Sequence, residues 1–280
     1  MRRCNIKKQA PLTYYGGKRR MVNYIMPLIP RHSIYVEPYF GGGTIFFEKK
    51  PSYLEVINDI NGQLINFYLQ IQENFEELNE KIQNTLCSES LFKWAKEVYN
   101  GKISVPDVER ALATWLVFNM AINSNPLANW SYNNGTGGSH TGILLAHKRD
   151  SFCPWLKERM RYVQISQRDA LKVIKERDSE QTFFYLDPPY PNTNQGHYSG
   201  FTFDNLEELL IVLQNIKGKF ILSNYPAEII TRYAQKKNWL LEDIVMKQDI
   251  VNAMGVKSTK TEILLYNYNP EKTSQLSLNF

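Results

Sequence analysis

No apolar run in this 280-residue chain approaches the length needed to cross a bilayer, and its start lacks the apolar core of a signal peptide. Cysteine is scarce. The three present, Cys4, Cys87 and Cys153, have neither paired nor metal-ligand spacing. That argues against a disulfide framework and against a cysteine-based metal centre, so no metal is expected and the thiols read as free in a reducing compartment. No internal repeat appears. What remains is ordinary for a globular protein: 43% hydrophobic residues, 22% charged, and a formal net charge of +5. The basic excess is modest, compatible with a polyanionic partner without demanding one. The length suits one large α/β domain with a sizeable insertion, or two small domains, in a cytoplasmic protein.

Periodicity divides the chain. A helix is expected from about Arg19 to Leu28, a strand over Ser33–Glu37, a helix from Thr44 to Lys49, and a strand over Tyr53–Ile57. Strand, glycine turn, helix, strand is a βαβ unit and argues a parallel sheet. From Gln63 to about Ile122 apolar residues recur at three and four, as in Leu64, Phe67, Tyr68 and Ile71, which is helical. Ser124 to Asp150 is polar, with Asn133-Asn134-Gly135-Thr136-Gly137-Gly138 at its centre, and reads as a long loop. The α/β pattern resumes with strands at Val163–Ser166, Phe183–Leu186, Lys219–Ser223 and Glu262–Tyr268, the last closing the sheet, and a polar tail follows from Pro270. The expected organisation is a first part of one α/β domain over 1–62, a helical and loop insertion over 63–160, the second part over 161–269, and a tail over 270–280.

One stretch organises the rest. Phe183-Phe184-Tyr185-Leu186 is a buried strand that runs into Asp187-Pro188-Pro189-Tyr190. The prolines lack the N–H that a central strand needs, so the chain leaves the sheet there, at the carboxyl end where open α/β sheets hold ligands. A carboxylate from Asp187 and the Pro188 carbonyl can together accept both hydrogens of one NH2 group, and the Tyr190 ring can stack on a flat heterocycle. That suits the exocyclic amine of a nucleobase; the bland alternative is a simple turn. Earlier, Pro38-Tyr39-Phe40-Gly41-Gly42-Gly43 follows the first strand and lets backbone approach a ligand closely. Asp59, at the end of the second strand, suits ribose hydroxyls, with a helix N-cap as the competing role. The Gly16-Gly17-Lys18 turn lacks the spacing of a phosphate loop; Lys18 is either solvated or paired with a cofactor carboxylate.

Taken in order, Tyr14-Tyr15-Gly16-Gly17-Lys18, Val36-Glu37-Pro38-Tyr39-Phe40-Gly41-Gly42-Gly43, Asn58-Asp59-Ile60-Asn61, Asp187-Pro188-Pro189-Tyr190 and Glu262-Ile263-Leu264-Leu265-Tyr266-Asn267-Tyr268 resemble the Dam-type, alpha-group (D12 class) DNA adenine-N6 methyltransferases, over about residues 10 to 270. The resemblance implies a Rossmann-like methyltransferase sheet with an inserted target-recognition domain, and S-adenosylmethionine as methyl donor. It implies that Tyr14 and Lys18 meet the methionine end of that cofactor and that Tyr39, Gly41 and Gly43 line its turn. Asp59 then takes the ribose and Asp169 lies near the adenine. Asp187, Pro188 and Tyr190 would receive the target base. The chain departs from the family in having Tyr39 where phenylalanine is usual, and Ser124–Asp150 lacks the arginine-bearing pattern of the GATC-specific members.

The implied reaction is methylation of a flipped-out adenine in a specific double-stranded DNA sequence. Methylation of the N4 amine of cytosine, of RNA adenine, or a silent DNA-binding module on the same fold are the alternatives. DNA contacts are expected from Asn133 and Asn134, from Lys148 and Arg149, and from Lys257 and Lys260. The tail ends Gln275-Leu276-Ser277-Leu278-Asn279-Phe280, which resembles the peptides that bind bacterial sliding clamps, with Gln275, Leu278 and Phe280 as anchors. A monomer or weak dimer associated with the nucleoid is the expected state.

Overall fold

Residues alternate between two faces along the central strands, and each face is covered. In the computed structural model, which describes residues 9–14, 16–132, 140–191, 200–251 and 257–270, the strands are β1 Ile34–Glu37, β2 Leu54–Asn58, β3 Gln164–Ser166, β4 Thr182–Leu186, β5 Lys219–Asn224, β6 Leu240–Val251 and β7 Lys257–Tyr266. They form one sheet in the order β3-β2-β1-β4-β5-β7-β6. β3, β2, β1, β4 and β5 pair in parallel, whereas β7 runs antiparallel to both β5 and β6. Tyr35, Ile57, Phe183, Tyr185 and Ile221 face one cluster; Val36, Val56, Phe184, Leu186 and Leu222 face another. A strand buried on both faces needs apolar residues at every position, which is why these segments read as continuous hydrophobic runs.

The first face is covered by α1 (Val22–Ile25) and α2 (Thr44–Glu48), and by helices inserted between β2 and β3: α3 Gly62–Glu73, α4 Phe75–Gln83, α5 Glu89–Tyr99, α6 Asp107–Met120, α7 Thr141–Ser151 and α8 Trp155–Met160. Phe67 and Tyr68 of α3 and Trp115 and Phe118 of α6 are fully buried in this cluster. Burying each such ring is worth about 1.5–3 kcal/mol, so packing holds these helices in place more than their intrinsic propensity does. The second face is covered by α9 (Ala170–Arg177), α10 (Phe203–Leu213) and α11 (Glu228–Lys237). A buried ion cluster ties insertion to sheet. Arg159 of α8 pairs with both oxygens of Glu55 in β2 and donates to the Phe46 carbonyl at 2.8 Å, while Lys49 reaches Glu55 at 2.5 Å.

Three expectations change. The helix expected over Arg19–Leu28 is broken into a 3-10 turn at Lys18–Arg20, the single turn of α1, and a second 3-10 turn at Met26–Leu28 that contains Pro27. Part of the expected Ser124–Asp150 loop is α7, which sequence periodicity hides because Ile143 and Leu144 are exposed and only Leu145 of that apolar trio is buried. Glu262–Tyr268 does not close the sheet. β6 does, and its mixed polar sequence carries little strand signal because an edge strand needs only one covered face.

The strand order reverses between β1 and β4: one half of the sheet grows outward from β1, the other from β4. The carboxyl ends of those two strands therefore border the crevice in which open α/β sheets bind ligands.

Candidate active site

A cavity of about 320 Å³ opens at that crevice. Its walls include Lys18, Glu37, Tyr39, Asp59, Asp187 and Tyr190, so motifs far apart in sequence share one space. The size falls within the usual range for small-molecule sites.

The glycine turn after β1 is shaped by aromatic rings. Gly41 and Gly43 have φ of +49° and +64°, a region that side chains disfavour. A Cβ on Gly41 would lie 2.9 Å from the Tyr14 ring, and one on Gly43 would lie 2.4 Å from Phe40. Tyr14 is held against the turn from the other side by Phe118, with ring centroids 5.1 Å apart and planes 21° apart. Asn119 accepts from the Thr13 backbone at 3.2 Å, and the Tyr68 hydroxyl donates to the Gly41 carbonyl at 2.9 Å. Helices of the insertion thus set the position of the turn. Gly43→Ala is expected to cost about 2–3 kcal/mol of folding stability, since it combines left-handed strain with a clash against a buried ring. Denaturant unfolding at unchanged m-value checks it.

Asp59 is buried, and one oxygen accepts from the Gly41 N–H at 2.8 Å while the other accepts from Asn61 N–H at 2.9 Å. The N-cap of α3 is Asn61, whose side chain accepts from Gln63 N–H. The capping role weighed for Asp59 therefore belongs to its neighbour, and Asp59 instead bonds the glycine turn on the cavity wall. Asp169 lines the cavity from the N-cap of α9, where it accepts from Lys172 N–H at 3.0 Å. Burial and the nearby charge of Asp169 push the Tyr39 phenol well above its ordinary value.

Asp187 follows β4 directly. The parallel register pairs Leu186 with Leu222, so the next residues, Asp187 and Ser223, come side by side. Three donors converge on one oxygen, Oδ1: Lys18 Nζ at 2.8 Å, the Ser223 hydroxyl at 3.0 Å and the Tyr190 hydroxyl at 3.3 Å. Among the described residues Oδ2 receives none of these bonds, so they fix the carboxylate by one oxygen. Lys18 is also buried, 2.6 Å from the Tyr190 hydroxyl and 3.6 Å from Glu262. Burial by itself would lower the Lys18 ammonium, but the charges of Asp187 and Glu262 outweigh it and the net shift is upward, so Lys18 stays protonated. Burial raises Asp187 above its ordinary value, and the Lys18 charge and hydrogen bond oppose that rise. Tyr190 is itself buried, with its ring edge-on to Tyr225 at 4.4 Å.

The sites expected to meet DNA are placed unevenly. Lys148 and Arg149 are on α7. Burial and the neighbouring charge of Arg19 lower Lys148 to about 8. Arg149 is turned inward and donates to the Thr85 carbonyl at 2.7 Å. Lys260 lies 2.9 Å from Glu262. The side chain of Lys257, and Asn133, Asn134, Gln275, Leu278 and Phe280 altogether, lie outside the described residues.

Sequence reading assigned no role to Ser223 or Glu262. Each carried a signal: a polar residue at the carboxyl end of an apolar strand, and a carboxylate at the head of one.

Residues 14–253 match the family model described as D12 class N6 adenine-specific DNA methyltransferase. The chain belongs to that family. Among curated proteins it is 28% identical to the Type II methyltransferase M1.LlaDCHI of Lactococcus lactis subsp. cremoris, over 90% of this chain and 93% of that one. It is 26% identical to the DNA N-6-adenine-methyltransferase of Escherichia phage P1, over 84% of this chain but 32% of the phage protein. Similarity to the Modification methylase LlaI of Lactococcus lactis subsp. lactis is 25%, over 93% of this chain and 44% of the relative. Membership makes DNA the substrate and adenine N6 methylation the activity, and implies S-adenosylmethionine as donor. Among the described residues no helix is long and apolar enough to span a membrane.

Proposed function

We propose that this D12 methyltransferase transfers the methyl group of S-adenosylmethionine to the N6 amine of an adenine turned out of a double-stranded DNA site. The observation that carries the reading is the single cavity shared by the glycine turn with Asp59 and by Asp187-Pro188-Pro189-Tyr190. The donor set fits the cofactor. Asp59 suits ribose hydroxyls, Tyr39 and Asp169 border a place for its purine, and Lys18 is within the same wall for its carboxylate. When bound, the cofactor supplies an electrophilic methyl on sulfur.

This chain's residues act on the amine. The N6 lone pair of adenine is delocalised into the ring and is a poor nucleophile. Asp187 Oδ2 and the Pro188 carbonyl accept its two hydrogens, which localises the lone pair on nitrogen and aims it along the line of displacement. Tyr190, at the cavity wall, gives the base an aromatic neighbour. Turning a base out of the duplex costs a few kcal/mol, partly offset by stacking worth about 1–3 kcal/mol. The names Type II methyltransferase and Modification methylase among the relatives support a sequence-specific role in restriction-modification for this chain too.

The test is incubation of the purified protein with radiolabelled S-adenosylmethionine and unmethylated genomic DNA, followed by nucleoside analysis. N6-methyl-2′-deoxyadenosine as the labelled product is expected; label in deoxycytidine, or none, would remove the reading. We assign target recognition to Ser124–Asp150, with Lys148 and Arg149 at its basic end. Deleting Asn133–Ser139 is expected to abolish sequence preference while cofactor affinity stays within about twofold, as read by single-molecule sequencing of methylated DNA and by calorimetry.

A further inference from the structure

Glu262 is a carboxylate only 4% exposed that the reaction above leaves without a task. It precedes Ile263, which pairs with Asn224 at the carboxyl end of β5, so it lies at the end of the sheet that holds the cavity. Its oxygens are engaged on two sides. Oε1 is 2.9 Å from Lys260 Nζ; Oε2 is 3.6 Å from Lys18 Nζ and 3.4 Å from the Tyr190 hydroxyl, whose one hydrogen it shares with Asp187. Lys18 in turn is 2.8 Å from Asp187 Oδ1. Lys260, Glu262, Lys18 and Asp187 therefore form a run of alternating charges that cancel formally. One end is the proposed acceptor of the amine, and the other is on the ribbon that β6 and β7 form. Tyr225 packs along the run, with Lys260 Nζ 4.6 Å from its ring centre and its ring against Tyr190.

An ammonium between two carboxylates is shared by both. With Glu262 neutral, Lys18 would belong to Asp187 alone. The tighter pair would draw charge from the carboxylate, weaken it as an acceptor and make Lys18 harder to release to a cofactor carboxylate. We propose that Glu262 is a positioning residue that acts on Asp187 through Lys18, and that Lys260 holds Glu262 in this role from the ribbon. This rests on Asp187 receiving the target amine. Among the described residues the groups facing Glu262 are Lys260 on its own strand, Lys18 from the N-terminal turn, and Asp187 and Tyr190 after β4. Tyr185 and Glu37 add to the field at Asp187 from β4 and β1.

The test measures methyl transfer by the full-length protein to unmethylated genomic DNA across a pH series, with cofactor calorimetry and thermal melting alongside. Glu262→Gln is expected to lower kcat about tenfold while KM for DNA stays within about twofold. Because the Glu262 charge is one of the causes that raise Asp187, its removal displaces the acid limb of the kcat profile to lower pH. Lys260→Met leaves Glu262 less neutralised and displaces that limb to higher pH; Lys260→Arg restores it. A merely structural role would lower melting temperature and leave the limb in place. Wild-type kcat in Glu262→Gln, or a limb that stays or rises, overturns the proposal. Should Glu262→Gln fail to melt cooperatively, Lys260→Met decides, and an unchanged limb there overturns it. If the wild-type protein forms no N6-methyl-2′-deoxyadenosine, the functional reading fails first and the positioning role falls with it.

Discussion

Asp187→Ala is expected to lower kcat by about 1,000-fold or more with the fold and cofactor affinity retained. The Asp187 carboxylate lies at the end of β4 with Oδ1 fixed by Lys18, Ser223 and Tyr190, and among the described residues Oδ2 receives none of these bonds. Without it, one of the two amine acceptors is lost, and the Pro188 carbonyl alone cannot orient a delocalised lone pair. The isosteric Asp187→Asn separates charge from shape: its side-chain carbonyl can still accept, so activity between the two extremes measures what the negative charge contributes. Single-turnover kinetics at saturating cofactor is the measurement. Near wild-type turnover in Asp187→Ala would dispose of the mechanism. Calorimetry of the same variant with S-adenosylmethionine shows that the cofactor half of the cavity is intact.

The second large effect is expected from Lys18→Met. Lys18 is 5% exposed and neutralises Asp187 and Glu262 together. Removing it leaves the half-buried Asp187 without its ion-pair partner and Glu262 paired with Lys260 alone, so stability falls by less than the about 3–5 kcal/mol of a fully buried broken pair. Cofactor affinity should fall by about 10- to 100-fold with the loss of a charged donor. The pH profile has a fixed sign. Asp187 must be ionised to accept the amine; burial raises it and Lys18 lowers it. Without Lys18 the carboxyl titrates at higher pH, so activity is lost earlier as pH falls. A limb that moves to lower pH, with wild-type cofactor affinity, would show that Lys18 serves neither partner.

Much of this was readable from order and spacing, because strand ends are punctuated by residues with fixed consequences. Pro188 and Pro189 end β4, the glycines after Glu37 end β1, and both ends meet where the strand order reverses. Parallel strands buried on both faces announce themselves as apolar runs. What escaped reading depends on contacts between distant segments. Ser223 matters because the register of β4 and β5 sets it beside Asp187, and no local pattern encodes a register. Asn61 takes the cap of α3 while Asp59 bonds Gly41, a division that propensity cannot make between two good capping residues. That Arg149 also donates to the Thr85 carbonyl is likewise a contact between distant segments. β6 and α7 expose enough apolar or polar residues to blur their periods.

The insertion between β2 and β3 also has a consequence for how the molecule comes into being. β1 pairs with both β2 and β4, yet 124 positions (182 − 58) separate the end of β2 from the start of β4. A ribosome adds those residues in about 6–25 s, during which β1 has one open edge and an uncovered apolar surface. Long-range parallel pairing of this kind closes slowly in any case. The intervening chain is no passive spacer. Phe67, Tyr68, Trp115 and Phe118 belong to the same cluster as Tyr35, Phe46 and Ile57, so the helices emerge in time to shield the nascent strands before their central neighbour exists. The helices that precede the proposed recognition stretch are thus expected to cover the sheet that carries the chemistry while it is still incomplete.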